Sequence, residues 1–410
     1  DADWSPDGRE LAVVHETGRS RRLEYPIGKV LHETVGWISH PRVSADGNLV
    51  AFIDHPQRAD NIGQVVVVDR TGSKRLEGPQ AATGIAWSAD GKEVWFSGPN
   101  VQGVKLSGKT RNVANLMGAV TIHDIFRDGR ALLSRNSWRR EIVGLAPGES
   151  VERNLTWLDW SLPTAFSEDG KTVLFDEQNL PAYLAYLRRT DGSPPVLLGQ
   201  YHSIDLSHDG KWALVASSAN QLTLLPTGAG QPRTLPSGGI AYQACLFFPD
   251  GRRIVCTGSE PKRGTRLYVQ DVDGSKPRPI TPEGVSLAVA GAISPDGRTI
   301  AAFGPDRRVM LYPSEPGEPR PAPGLQSDEL PIRWTGDGRA MWVARPNEVP
   351  TKVHRVDMTT GQRALWKELV PPDPAGVLTM GPILMTPDGK SYVYSYRRTL
   401  DELFLVEGLR

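Results

Sequence analysis

Several absences bound what this chain can be. Only two cysteines occur among 410 residues, too few for a disulfide framework or a cysteine-built zinc site. No apolar run approaches the ~18 residues that a helix needs to cross a bilayer. Neither sign of charge dominates, since 47 Lys and Arg balance 47 Asp and Glu. A dedicated basic face for nucleic acid or an anionic membrane is therefore not expected. No stretch repeats its apolar residues at the helical period. There is no Gly-x-Ser-x-Gly elbow, and the eight histidines show no His-x-x-x-His or carboxylate spacing suited to a metal. No cofactor and no metal are expected.

What the chain has in excess is turns. Glycine (42) and proline (34) exceed the usual usage of roughly 7% and 5%, while the apolar and charged fractions are ordinary. Ten Asp-Gly pairs recur in similar surroundings: Asp7–Gly8, Asp46–Gly47, Asp90–Gly91, Asp128–Gly129, Asp169–Gly170, Asp209–Gly210, Asp250–Gly251, Asp296–Gly297, Asp337–Gly338 and Asp388–Gly389. Their spacing runs from 38 to 51 residues and mostly lies near 41. Around each stand a short apolar stretch, the turn, and an alternating apolar strand, as in "IAWSADGKEVWFS" and "GAISPDGRTIAAF". Asp-Gly between β-type runs signals a hairpin, because glycine takes positive φ without a Cβ clash. A preceding Ser or Thr can bond back to the turn. A second polar turn follows many of these hairpins, as in "VVVVDRTGSKRL", giving four antiparallel strands per repeat. Four-stranded units at this period predict an all-β fold, a β-propeller of about ten blades.

Ten blades divide most simply into two tandem propellers. The last repeat ends at "ELFLVEGLR", which supplies a third strand and needs a fourth; "ESVERNLTWLDW" (Glu149–Trp160) can donate it. Residues 150–410 then form a six-bladed ring, and residues 1–149 hold four blades of a preceding propeller. One large ring is the alternative. The chain starts at Asp1 inside a repeat and without a signal peptide, and is read as a piece of a longer polypeptide.

Candidate sites are few. Cys245 and Cys256 flank the Asp250–Gly251 turn and fall opposite each other across the hairpin; they are read as two buried small hydrophobes, with a cross-strand disulfide in an oxidising compartment as the alternative. His123 and Asp124 are adjacent on a strand, so they point to opposite faces and make poor acid–base partners. Each "SPDG"-type turn offers one carboxylate, too few for a calcium loop. Trp157 and Trp160 in "WLDW" are expected to pack between blades. The loops joining second and third strands lie on one rim and vary in length and charge, which suits recognition. They are "HPQRADNIGQ" with Arg58 and Asp60, "SRNSWRREI" with Arg139 and Arg140, "DEQNLPAY" with Asp176 and Glu177, "GSEPKRGTR" with Lys262 and Arg263, and "ARPNEVPTK" (Ala344–Lys352).

The "SPDGxxI/LAF" blades resemble the TolB-like, WD-related propeller repeats of bacteria, although the Trp-Asp and Gly-His pairs of true WD repeats are missing. More narrowly, "ADWSPDGRELAVVHE", "LEYPIGKVLHETVGWISHPRVSADG", "DEQNLPAYLAYLRRTDGSPPVLLG" and "TPDGKSYVYSYRRTLDELFLVEGL" resemble the C-terminal propeller of bacterial membrane-anchored serine/threonine protein kinases. That resemblance implies a parent with a cytoplasmic catalytic domain, a membrane helix and an extracytoplasmic propeller. The 410 residues hold no Gly-rich loop with a strand lysine, no His-Arg-Asp and no Asp-Phe-Gly, so kinase activity would belong to the parent. The expected function is a non-catalytic sensor or scaffold that binds a protein, peptide or small molecule, without nucleic acid or membrane insertion. The alternative is a propeller hydrolase, peptidase-associated or a glycosidase. Two carboxylates roughly 5–10 Å apart in the central funnel would favour the glycosidase.

Overall fold

The computed structural model describes residues 1–410 except 18–19, 56–62, 81, 99, 117, 179–182, 218–220, 289–290, 316 and 410. All ten Asp-Gly pairs sit at hairpin tips, and their glycines have φ between +65° and +88°. In eight of the turns a Ser or Thr hydroxyl two residues before the aspartate donates to its Oδ1, as from Ser44 to Asp46 at 2.6 Å and from Thr386 to Asp388 at 2.6 Å. The same hydroxyl accepts the backbone N–H five residues on, such as Leu49 at 2.9 Å and Thr172 at 2.9 Å. Phe126 and Phe248 replace the hydroxyl in the other two turns.

The ladders of the four-stranded blades are antiparallel, an isolated parallel bridge joins Arg140 to Trp160, and no helix occurs among the described residues. Nine sheets result from ten hairpins, because the hairpins at Gly129 and Gly389 share one sheet. Two strands of fifteen residues, Ala131–Leu145 and Tyr392–Val406, make this possible by pairing with each other.

The chain forms two compact units, Asp1–Ser137 with Leu400–Arg410, and Trp138–Thr399. Unit 1 holds three four-stranded blades, with innermost strands Ala2–Trp4, Trp37–Val43 and Gly84–Trp87, followed by the strand Ala119–Ile125 and its partner. Unit 2 has six blades. Five are regular, with innermost strands Ser161–Phe166, His202–Leu206, Ala241–Phe247, Ser286–Leu287 and Leu330–Trp334. The sixth closes the ring: Val377–Met385 lies innermost and touches both Ser161–Phe166 and Leu330–Trp334.

The closing blade departs from the sequence expectation. Its second strand is 392–399, its third is 138–145, and its fourth is Arg153–Asn154, paired as Val143↔Asn154 and Gly144↔Arg153. The segment before the first blade thus supplies two strands rather than one, and the division falls at 137/138 rather than 149/150. The "ELFLV" segment is not a third strand, because Tyr392–Val406 continues through it without a turn and its end belongs to unit 1. Polar contacts latch the closure: Tyr392 and Tyr394 hydroxyls donate to Glu152 at 2.5 and 2.9 Å, and Tyr396 donates to Glu141 at 2.9 Å.

Blades adhere through apolar seams. Ile142, Leu155 and Val393 meet Phe166 and Phe175 between the closing and first blades. Leu174 meets Leu206 and Val215 at the next seam. Side chains also clasp the backbone of the following blade: Asp205 accepts from Phe247 N at 2.8 Å, and Thr257 accepts from Leu287 N at 2.8 Å.

Three expectations follow. Gly297→Val strains positive φ by ~1–3 kcal/mol. Gly170→Val costs more, since a Cβ at Gly170 meets Ser391 Cβ at 2.8 Å whereas at Gly297 the nearest atom is 3.7 Å away. Melting temperatures should therefore fall in both, further for Gly170→Val; equal values would refute the assigned packing. In the second, the fragment 138–410 unfolds cooperatively in urea and 150–410 aggregates, because without 138–145 the strand at 392–399 becomes an open edge. Equally cooperative fragments would show that this strand does not close the ring. The third concerns Asp205, whose carboxyl burial pushes up to about 7 from 3.8 against the opposing N–H groups of Phe247 and Leu206. A raised folded value contributes stability below the unfolded pKa that is lost as pH rises through the folded one. Asp205→Asn should gain stability relative to the parent between pH 3.8 and about 7; a pH-independent difference in urea midpoint would contradict this.

Candidate functional site

The fold turns six innermost strands of unit 2 toward one axis, and they enclose a cavity of about 530 Å³. That is an ordinary size for a small-molecule site. The turn glycine fixes which residue faces it. Eight positions before Gly170, Gly210, Gly251, Gly338 and Gly389 stand Leu162, His202, Gln243, Leu330 and Gly381, and all five line the cavity. The sixth equivalent, residue 289, lies outside the described residues. Further along the same strands the wall is Ile204, Leu246, Leu287, Ile332, Met380 and Leu384. The channel is therefore apolar, with a polar sector where His202 and Gln243 sit on neighbouring blades.

Asp176 holds His202 in place. This carboxylate ends the strand Thr172–Glu177 and is fully buried. Its Oδ1 accepts from Ser203 N at 2.7 Å, and its Oδ2 accepts the His202 Nδ1 proton. Nε2 is then the ring nitrogen that remains for a ligand. The hydrogen bond to Asp176 raises the His202 pKa above 6.5, with burial opposing it. The Tyr183 ring lies 5.2 Å away, tilted. Arg345 and Asn347, from the loop after Ala340–Ala344, also line the cavity. Arg345 is paired with Asp328 at 2.9 Å.

No described lining residue is Asp or Glu, so the wall presents no carboxylate pair of the glycosidase kind. The Thr164 and Ser203 hydroxyls bond each other at 2.8 Å, and His202 bonds neither. Among the described residues, no three His, Cys, Asp or Glu side chains cluster as metal ligands would.

The rim candidates do not converge. Arg58 and Asp60 lie outside the described residues. Arg139 and Arg140 are not in a loop but inside the strand Ala131–Leu145; Arg139 is exposed beside Asp159, and Arg140 lies over the Trp160 ring at 5.5 Å. Asp176 and Glu177 are buried rather than on an open rim, because both cap backbone N–H groups: Asp176 that of Ser203, and Glu177 those of Leu158 and Trp160 at 3.1 and 3.3 Å. Lys262 and Arg263 occupy an exposed turn away from the cavity lining, where Arg263 pairs with Glu260 at 3.3 Å and Glu283 at 3.8 Å.

Other residues fall as follows. His123 bonds Ser134 Oγ at 2.8 Å while Asp124 caps Ile125 N, so the two are separate. Trp157 is 44% exposed and does not pack between blades; Leu155 takes that place. Cys245 and Cys256 are directly paired and buried but joined as a disulfide, not two separate thiols. Cys245 also lines the channel. His202 and Gln243 escaped sequence reasoning, although counting back from the turn glycines would have set them beside Leu162 and Leu330.

No family model matches the chain. Among curated proteins, the WD repeat-containing protein WDS homolog of Arabidopsis thaliana is 29% identical over 104 residues, 25% of this chain and 19% of that protein. The uncharacterized peptidase YuxL of Bacillus subtilis (strain 168) is 25% identical over 191 residues, 43% of this chain and 29% of that protein. The chain thus spans less than a third of the length of these relatives. Among solved structures, a TolB-assigned chain from Agrobacterium tumefaciens aligns with TM-score 0.48 and 19% identity, over 64% of this chain and 99% of that one. An oligogalacturonate lyase from Vibrio parahaemolyticus aligns with TM-score 0.42 and 14% identity, over 61% and 76%. The chain is an array of four-stranded β-propeller blades, similar in part to the WD-repeat protein and the YuxL peptidase.

Proposed function

We propose that this propeller is a non-catalytic binding module whose ligand enters the channel of unit 2. The carrying observation is the wall itself: an apolar cavity of about 530 Å³ with a few polar groups and, among its described residues, no carboxylate. Apolar pockets with sparse, placed polar groups are the general form of a small-ligand site. In the kinase context that the sequence resemblance implies, the channel would be the sensing site of an extracytoplasmic domain. The Cys245–Cys256 disulfide supports an oxidising compartment. A second reading draws on the similarity to YuxL, which is named a peptidase: the propeller would then serve a peptidase by admitting chain segments to the same channel.

Blocking the channel tests the proposal. Ala244 lines it from an exposed position, so Ala244→Trp fills space without disturbing a seam. A neutral apolar dye such as Nile red should bind the parent with enhanced fluorescence and lose at least about tenfold in affinity to the variant, at unchanged melting temperature. Undiminished dye binding by a folded variant would remove the channel as the site.

A further inference from the structure

We propose that the channel of unit 2 takes a small apolar carboxylic acid, its carboxylate held between His202 and Gln243 and its hydrocarbon part against the leucine and isoleucine wall. The inference rests on the channel being the ligand site and goes on to name the ligand's chemistry.

Three observations carry it. The first is the asymmetry of the wall. At the positions eight before the turn glycines, Leu162, Leu330 and Gly381 are apolar, and the two polar members, His202 and Gln243, are on adjacent blades whose innermost strands touch. A ligand with one polar end and one apolar body matches that division. The second is orientation. Asp176, fully buried, takes the Nδ1 proton of His202 and the N–H of Ser203, so the imidazole is fixed with Nε2 as its remaining group. When the ring is protonated, Nε2–H donates, and the Gln243 amide supplies a second donor; a carboxylate accepts both. The third is charge. The ionisable side chains among the described lining residues are His202 and Arg345, both of cationic type, and none of those residues is a carboxylate that would repel an anion.

The groups facing His202 come from three elements: Asp176 of Thr172–Glu177, Tyr183 ahead of Leu184–Arg189, and Tyr242 with Gln243 of Ala241–Phe247. Burial pushes the Tyr242 hydroxyl up to about 12, so it stays neutral while the imidazole titrates. The bond to Asp176 favours the imidazolium, which supports an anionic partner over a neutral alcohol. Because that partner pairs with His⁺, its affinity falls as pH rises through the imidazole titration.

Isothermal calorimetry on the full 410-residue chain tests this with decanoate, decan-1-ol, and tetraleucine with a free or an amidated C-terminus. At about pH 6.5, where the imidazolium is favoured, decanoate should bind at least about tenfold tighter than decan-1-ol, the value of one charged hydrogen bond, and the advantage should shrink by about pH 9. Gln243→Leu and His202→Leu should each erase most of the advantage while decan-1-ol binding persists. Should His202→Leu not fold, Gln243→Leu decides, since the Gln243 side chain is exposed and makes no hydrogen bond among the described residues. Free tetraleucine binding more tightly than decanoate, and than its amide, would place the acid at a peptide end and support the same chemistry. Equal binding of decanoate and decan-1-ol, both lost in Ala244→Trp, would overturn the acid inference and leave the channel reading standing. Binding of both that Ala244→Trp does not alter would overturn the channel reading itself.

Discussion

A Ser or Thr hydroxyl that donates to an aspartate two residues on, and accepts an N–H five residues on, closes eight of the ten hairpins. Glycine at positive φ completes each turn. The consequence reaches far beyond the loop, because strand side chains alternate with period two and a slip of one residue would reverse every face. With the turn locked, the first and second strands of each blade have one register. The residue eight before the glycine then faces the axis in five blades of unit 2. The identity of the channel wall is thus an outcome of turn chemistry repeated around a ring.

Register alone does not make a ring, since a single blade cannot bury its two faces. Unit 2 solves this with apolar seams at successive blade contacts, and each buried Val, Leu or Phe there is worth ~1.5–3 kcal/mol. The closing seam joins chain segments some 240 residues apart, where Tyr392 and Tyr394 reach Glu152. Burial holds these phenols neutral, and the nearby carboxylate pushes their pKa values the same way, so they serve as donors throughout the physiological range. Building the closing blade from both ends makes the ring's integrity depend on strands that are local to neither end.

The turns and alternating strands were legible because their signals are local: Asp-Gly, a hydroxyl before it, and period two after it. Residues 134–142 were not, since a polar, charged stretch reads as a loop, yet cross-strand pairing with Tyr392–Val406 keeps it extended. The same long pair explains why ten hairpins give nine sheets. Asp176 and Glu177 look like loop charges, but their burial depends on backbone donors from Ser203, Leu158 and Trp160, partners that no local pattern announces. His202 and Gln243 carry no local signal, because neither stands at a catalytic or metal-ligand spacing along the chain. Their shared place on the channel wall follows from equivalence between blades, which becomes visible only when the turns are superimposed.

Asp176 joins the scaffold to the site. One of its oxygens clasps the backbone of the second blade through Ser203 N, and the other orients His202 toward the channel. A side chain fixed at both oxygens loses little further freedom when a ligand arrives, which is how a rigid ring preorganises a polar contact. The same arrangement limits chemistry: a carboxylate committed to two donors is occupied, and the hydroxyls nearby are bonded to each other. A general base needs a reacting group within reach of its nitrogen, and here the surroundings of His202 offer a largely apolar wall instead. The same contacts that fix the imidazole on the axis therefore also tie the first blade to the second, so orientation of His202 and the integrity of that seam depend on one side chain.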